Sequence, residues 1–134
     1  MSYNELAAMR KELGLTQADM ADRMGVPFRT YQDLEAGKSA VRPIHLKAAA
    51  YARKLERKEI DDDDVMIVHP FHVGPDGMLD DEPAVRVYGN DIETTARHFF
   101  GDDIAFGTGS LSNVRGSIAL VRGGKVDKRM VYKS

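Results

Sequence analysis

The feature that most constrains this fold is a break at Gly25-Val26-Pro27, inside the stretch GLTQADMADRMGVPFRTYQDLEAGK at residues 14–38. Helical spacing runs up to the break and resumes after it. One long helix does not carry a glycine and a proline within three residues of its middle, because each removes helical stability, roughly 1 kcal/mol for glycine and 3 kcal/mol for proline. Two short helices meeting at a fixed corner do. Thr16 stands at an N-cap position before a helix over about 17–24. Met20, Ala21, Met24, Val26, Tyr31 and Leu34 form the inward set, with Ala21 where the two helices cross closely. Gly25 supplies the left-handed turn, Val26 fills the space beneath it, and the second helix runs from about 28 to 35 and stops at Gly37.

Helices flank this corner. YNELAAMRKEL at 3–13 puts Leu6, Met9 and Leu13 on one face, and Gly14 ends it. PIHLKAAAYARKLERK at 43–58 opens with a first-turn proline and presents Ile44, Ala48, Tyr51, Ala52 and Leu55. A pair of helices fixed at a tight turn and held from both sides is a helix-turn-helix, which presents its second helix to a DNA major groove.

The composition shifts at EIDDDD, residues 59–64, which reads as a solvated acidic linker. Beyond it, VMIVHPFHVGPDGMLD is a strand, a Gly-Pro-Asp-Gly turn and a return strand. AVRVY at 84–88 is another strand. NDIETTARHFFG is a helix with Asn90 and Glu93 in a capping-box arrangement and Gly101 as its stop. SIALVRGGKVDKRMVYK closes the chain as a hairpin over Gly123-Gly124. Residues 65–134 are therefore expected to form a small α+β domain with a mostly antiparallel sheet and one helix.

Charge separates the same halves. Residues 1–58 hold eleven Lys and Arg against seven Asp and Glu, while residues 59–134 hold eight against fourteen. The basic half is the one suited to a polyanion. The absence of cysteine excludes disulfides and thiolate zinc sites. No apolar run approaches the roughly 20 residues of a membrane span, and the N-terminus does not read as a signal peptide, so a cytoplasmic protein of a bacterium or of a phage's bacterial host is expected.

Residues 3–58 resemble the DNA-binding domain of the Cro/cI-type, XRE-like repressors. The resemblance rests on Leu13-Gly14-Leu15-Thr16-Gln17, Met20-Ala21, Met24-Gly25-Val26, Thr30 and Leu34-Glu35-Ala36-Gly37-Lys38. It implies a mainly α helix-turn-helix domain of about five helices over residues 1–58, ahead of the α+β domain. It places Phe28, Arg29, Gln32 and Asp33 at base edges, where Arg29 suits guanine and Gln32 suits adenine. Thr16, Gln17, Thr30, Lys38 and Arg42 are implied at backbone phosphates, which fix register without reading sequence. Arg10 and Glu35 match a partly buried scaffold ion pair. Two positions depart from the pattern. Pro27 replaces the usual Ser or Thr cap, and Phe28 replaces a polar reader, leaving open whether it packs on a thymine methyl or completes the core.

The second half shows no family resemblance and less chemistry. His69, His72 and His98 invite a metal reading, but residues three apart on a strand point to opposite faces, so ordinary strand histidines and no metal site are expected. GTGSLSNVRGS at 107–117 lacks a P-loop ending and reads as a mobile loop. The lysines and arginines of the last hairpin suit an exposed edge strand. No Ser/His/Asp order or carboxylate pair marks a catalytic centre, so the chain is expected to be no enzyme and to need no cofactor.

The combined expectation is a sequence-specific regulator of double-stranded DNA, a repressor of phage, prophage or mobile-element type. A single module of this kind is weak on its own, so a homodimer on a palindromic operator is expected, held through residues 65–134. The rival readings are an antitoxin that binds a toxin through residues 65–134 while repressing its own operon, a ligand-sensing or enzymatic domain targeted by the helix-turn-helix, and a scaffold that has lost DNA readout.

Overall fold

Gly14, Gly25 and Gly37, all at positive φ, cut the first 42 residues into three short helices. A computed structural model describes residues 3–134, with α1 at Tyr3–Leu13, α2 at Gln17–Met24, α3 at Phe28–Glu35 and α4 at Pro43–Glu56. The Thr16 hydroxyl accepts the Asp19 amide at 3.1 Å, and the Asp19 carboxylate accepts the Thr16 amide at 3.3 Å, closing a capping box on α2. At α4, Pro43 occupies the first turn and the His45 Nδ1 accepts the Arg42 amide at 2.9 Å. That helix ends two residues short of the expected 58. Lys58 takes the left-handed conformation with φ 60, and the Glu59 amide closes on the Lys54 carbonyl at 2.9 Å.

The rest of the chain is β1 at Val65–Val73, β2 at Leu79–Asp81, β3 at Val85–Tyr88, α5 at Ile92–Phe100, β4 at Ile104–Phe106, a 3-10 turn at Leu111–Asn113, β5 at Val114–Arg122 and β6 at Lys125–Lys133. The fifth helix thus comes after the acidic segment and packs against α4. The strands form one antiparallel sheet in the order β2-β1-β5-β6-β4, with β3 on β1 opposite β5. Every strand pair is antiparallel.

Two local readings need correction, and one strand was not foreseen. The N-cap of α5 is Asp91, not Asn90. The Asp91 carboxylate accepts the Glu93 amide at 3.2 Å and the Thr94 hydroxyl at 2.7 Å, while the Asn90 amide turns back to Asp61 at 3.4 Å. Residues 114–117 are the start of β5 rather than loop: Gly116 and Ser117 pair with Pro70 and His69 of β1, while a bulge between Val114 and Gly116 interrupts the pairing with β6. A Cβ on Gly116 would lie 2.3 Å from the His69 carbonyl oxygen. Strand β4 has no signal of its own, being three residues recruited by Val131, Tyr132 and Lys133 of β6. The outer edge of β6 is therefore covered only near its end.

One buried cluster runs through both halves. It joins Met20, Met24, Tyr31, Leu34 and Tyr51 of the helices to Met66, Val68, Val87, Ile118 and Val131 of the sheet, with Phe99 between them. Tyr51 is the link on α4. Its hydroxyl donates to the Tyr88 carbonyl at 2.6 Å and lies 3.0 Å from the Thr95 hydroxyl. Burial pushes the Tyr51 phenol above its ordinary pKa, which keeps it a neutral donor. Among the described residues, no helix is long and apolar enough to cross a membrane.

Candidate nucleic-acid interface

The corner is built from backbone first. Gly25, with φ 76, sends its amide to the Ala21 carbonyl at 2.9 Å, and the Val26 amide reaches the same carbonyl at 3.0 Å. Ala21 and Met24 are buried beneath it. The turn is also fastened from outside. The Arg86 amide of β3 donates to the Gly25 carbonyl at 2.9 Å, and the Tyr88 hydroxyl donates to the Asp22 carboxylate at 2.7 Å. Sequence reading missed both supports, because no local pattern near residue 86 or 88 refers to residues 22–25.

Helix α3 is anchored by Tyr31 and Leu34, both fully buried, so its opposite face points outward. Pro27 at the N-cap makes no side-chain hydrogen bond, and the first turn holds no acidic residue. That end of α3 keeps the positive pole of its dipole uncompensated by side chains, a favourable setting for phosphate. Phe28 lies outside the buried core and is 49% exposed. The Arg29 side chain is 80% exposed, and its Nε stands 3.4 Å from the Asp33 carboxylate one turn on. Gln32 and Asp33 are half-buried on the same helix, as is Thr30.

Around this helix, Thr16 is spent on capping α2, though its residue remains exposed, and Gln17 is half-buried. Lys38 follows α3 and Arg42 precedes α4, and both are exposed. Behind the helix, Arg10 grips Glu35 in a two-pronged pair at 2.7 and 3.0 Å, with side chains only 16% and 11% exposed. Hydrogen bonding to Arg10 holds the Glu35 carboxyl below the usual carboxylate range, and the same bond raises Arg10. A third Arg10 nitrogen donates to the Leu15 carbonyl at 3.1 Å, so one guanidinium ties α1 to the α1–α2 turn and to the end of α3.

The histidines do not converge. His69 faces Asp81 at 3.2 Å, His72 faces Asp80 at 3.2 Å, and His98 sits between α4 and α5. Among the described residues no group of three His, Asp or Glu side chains could hold a metal ion.

Two helices joined by a glycine turn, with the second exposed on a rigid support, define a helix-turn-helix protein. Residues 6–52 match the family model described as helix-turn-helix, and the chain belongs to that family. It is 45% identical over 53 residues to an uncharacterized HTH-type transcriptional regulator of Methanothermobacter thermautotrophicus strain Delta H, a match covering 40% of this chain and 74% of that relative. No solved structure matches it significantly.

Proposed function

We propose that this protein is a sequence-specific, double-stranded DNA-binding transcription regulator, and that it acts as a repressor of phage, prophage or mobile-element type in the cytoplasm. The observation that carries the reading is the orientation of α3. Its inner residues Tyr31 and Leu34 are fully buried, while Phe28 and Arg29 project from its start with no part in the core. A helix locked this way enters the major groove end first. Arg29 then reads guanine, Gln32 adenine, and Phe28 a thymine methyl. Asp33 holds the Arg29 guanidinium in line. Gln17, Thr30, Lys38 and Arg42 hold phosphates and set the register. Residues 1–58 are the reading half and 59–64 the acidic link, with 65–134 joining two copies so that their recognition helices lie about 34 Å apart on a palindrome.

The test is selection of bound sequences from a random duplex library, repeated with Arg29→Ala and Gln32→Ala. A palindromic motif that loses information at separate positions in the two variants supports the reading. Salt-sensitive retention without any enriched motif rejects sequence recognition.

A further inference from the structure

A cleft of about 530 Å³ opens where the start of α4, the end of α5 and strands β1, β2 and β5 meet. Its volume lies in the range of small-molecule sites, and it sits between the helical and sheet halves, where such sites concentrate. Arg42 at the N-cap of α4, Lys47 of α4 and Arg115 of β5 line it with positive charge. Asp80 and Glu82, at and just past β2, line it with negative charge. Strands β2 and β5 lie on opposite sides of β1, so the backbones that carry the acidic residues and Arg115 are about two strand spacings apart, roughly 10 Å. Half-buried Phe71 and Phe100 add apolar surface to the same cleft.

Buried His45 lies in the field of both Arg42 and Glu82, yet no direct ion pair joins the two sets of charge among the described residues. Among the described residues Arg42 and Arg115 form no ion pair, although carboxylates line the same cleft. The Lys47 ammonium donates to the Phe99 carbonyl at 2.9 Å, and Asp80 faces His72 rather than an arginine. An anion bound at the arginines would lie in the field of Asp80 and Glu82, and a cation at those carboxylates would lie in the field of the arginines. A guest bearing both charges is attracted by both walls. We infer that this cleft is a binding site for a small zwitterion with an apolar body, of the amino-acid type, its carboxylate on Arg42 and Arg115, its ammonium on Asp80 and Glu82, and its side chain on Phe71 and Phe100.

The site also touches the reading half. Arg42 is the residue assigned to a phosphate, so a guest that holds Arg42 in the cleft withdraws it from DNA, and DNA weakens the guest in return. That coupling rests on the proposed function; the site itself does not, and its test uses no DNA.

The experiment is a thermal-shift screen of the full chain with each standard L-amino acid at millimolar concentration, followed by calorimetry of the hits. The expected result is stabilisation by an apolar amino acid such as phenylalanine or leucine. Its affinity should exceed by about tenfold that of the same molecule lacking either the ammonium or the carboxylate, the worth of one charge-assisted hydrogen bond. Arg115→Ala and, independently, Asp80→Asn should each weaken it by a similar factor without changing the circular dichroism spectrum. Absence of any hit overturns the inference. So does equal binding of the deaminated acid, which marks a plain anion site, or full retention of affinity in both variants.

Discussion

The carbonyl of Gly25 accepts the amide of Arg86 at 2.9 Å, so the turn of the helix-turn-helix is hydrogen-bonded to an edge strand from the other half of the chain. The contact is close enough that a Cβ on Gly25 would lie 2.2 Å from the Arg86 carbonyl oxygen. The corner that presents α3 is thus part of the sheet's edge, and its rigidity depends on residues far along the chain.

Gly25→Ala should therefore cost about 2–4 kcal/mol, combining left-handed strain with collision against β3. Gly14 is the control, since its φ is 70 but nothing lies within 4 Å of its added Cβ. Gly14→Ala should cost only about 1 kcal/mol. Urea unfolding of both variants measures the difference, and equal losses would show that the approach of β3 is unimportant.

Removing residues 59–134 uncovers Tyr51, which is fully buried and bonded to Tyr88 and Thr95. The fragment 1–58 should lose more than about 3 kcal/mol of stability through exposed apolar surface and orphaned polar groups. A thermal melt followed by circular dichroism reports it. A fragment that melts with the cooperativity and midpoint of the full chain contradicts the shared core.

Breaking the Arg10–Glu35 pair with Glu35→Gln should cost about 2 kcal/mol near neutral pH, because a charge-assisted pair is replaced while the Arg10 charge remains. The folded pKa of Glu35 is depressed, first by its bond to Arg10. Its contribution is complete above the unfolded value near about 4.3 and vanishes as pH falls through the folded value. Native and variant curves should converge at the acid end. A gap that persists there would assign the loss to packing.

His98 is held neutral. Its Nε2–H donates to the Lys47 carbonyl at 2.8 Å, which leaves Nδ1 to accept the Lys54 ammonium at 2.9 Å. Burial is the main reason its pKa lies below the ordinary value, as for His45. The unfolded chain then takes up protons more readily than the folded one, so stability is full above about pH 6.5 and declines as pH falls below it. His98→Gln should flatten the stability slope between about pH 7.5 and 5.5. An unchanged slope would place the proton uptake elsewhere.

Phe28→Ala should change stability by less than about 1 kcal/mol, since the ring is half-exposed, yet weaken operator binding. Lys38→Ala should weaken all duplexes alike and reduce the salt slope by about one. Filter binding over a salt series separates the two. Comparable losses on operator and random duplex for Phe28→Ala would remove it from the reading surface.

What the sequence determined by itself is what acts within a turn or a strand. The Thr16 cap, the left-handed Gly25, the burial of Tyr31 and Leu34, the strand at 65–73 and the hairpin over Gly123-Gly124 all follow from residues close to one another, because capping and side-chain periodicity are local. Local rules also misplaced the α5 cap by one residue, since Asn90 and Asp91 are both competent, and in the structure Asp91 takes the cap while Asn90 turns to Asp61. The tertiary structure alone decided the rest. It put Phe28 outside the core, recruited β4 to β6, set opposite charges around one cleft, and joined Asp22 to Tyr88 across 66 residues. Such contacts form between groups whose local sequences bear no mark of each other, and they exist only once the helices and sheet share a core.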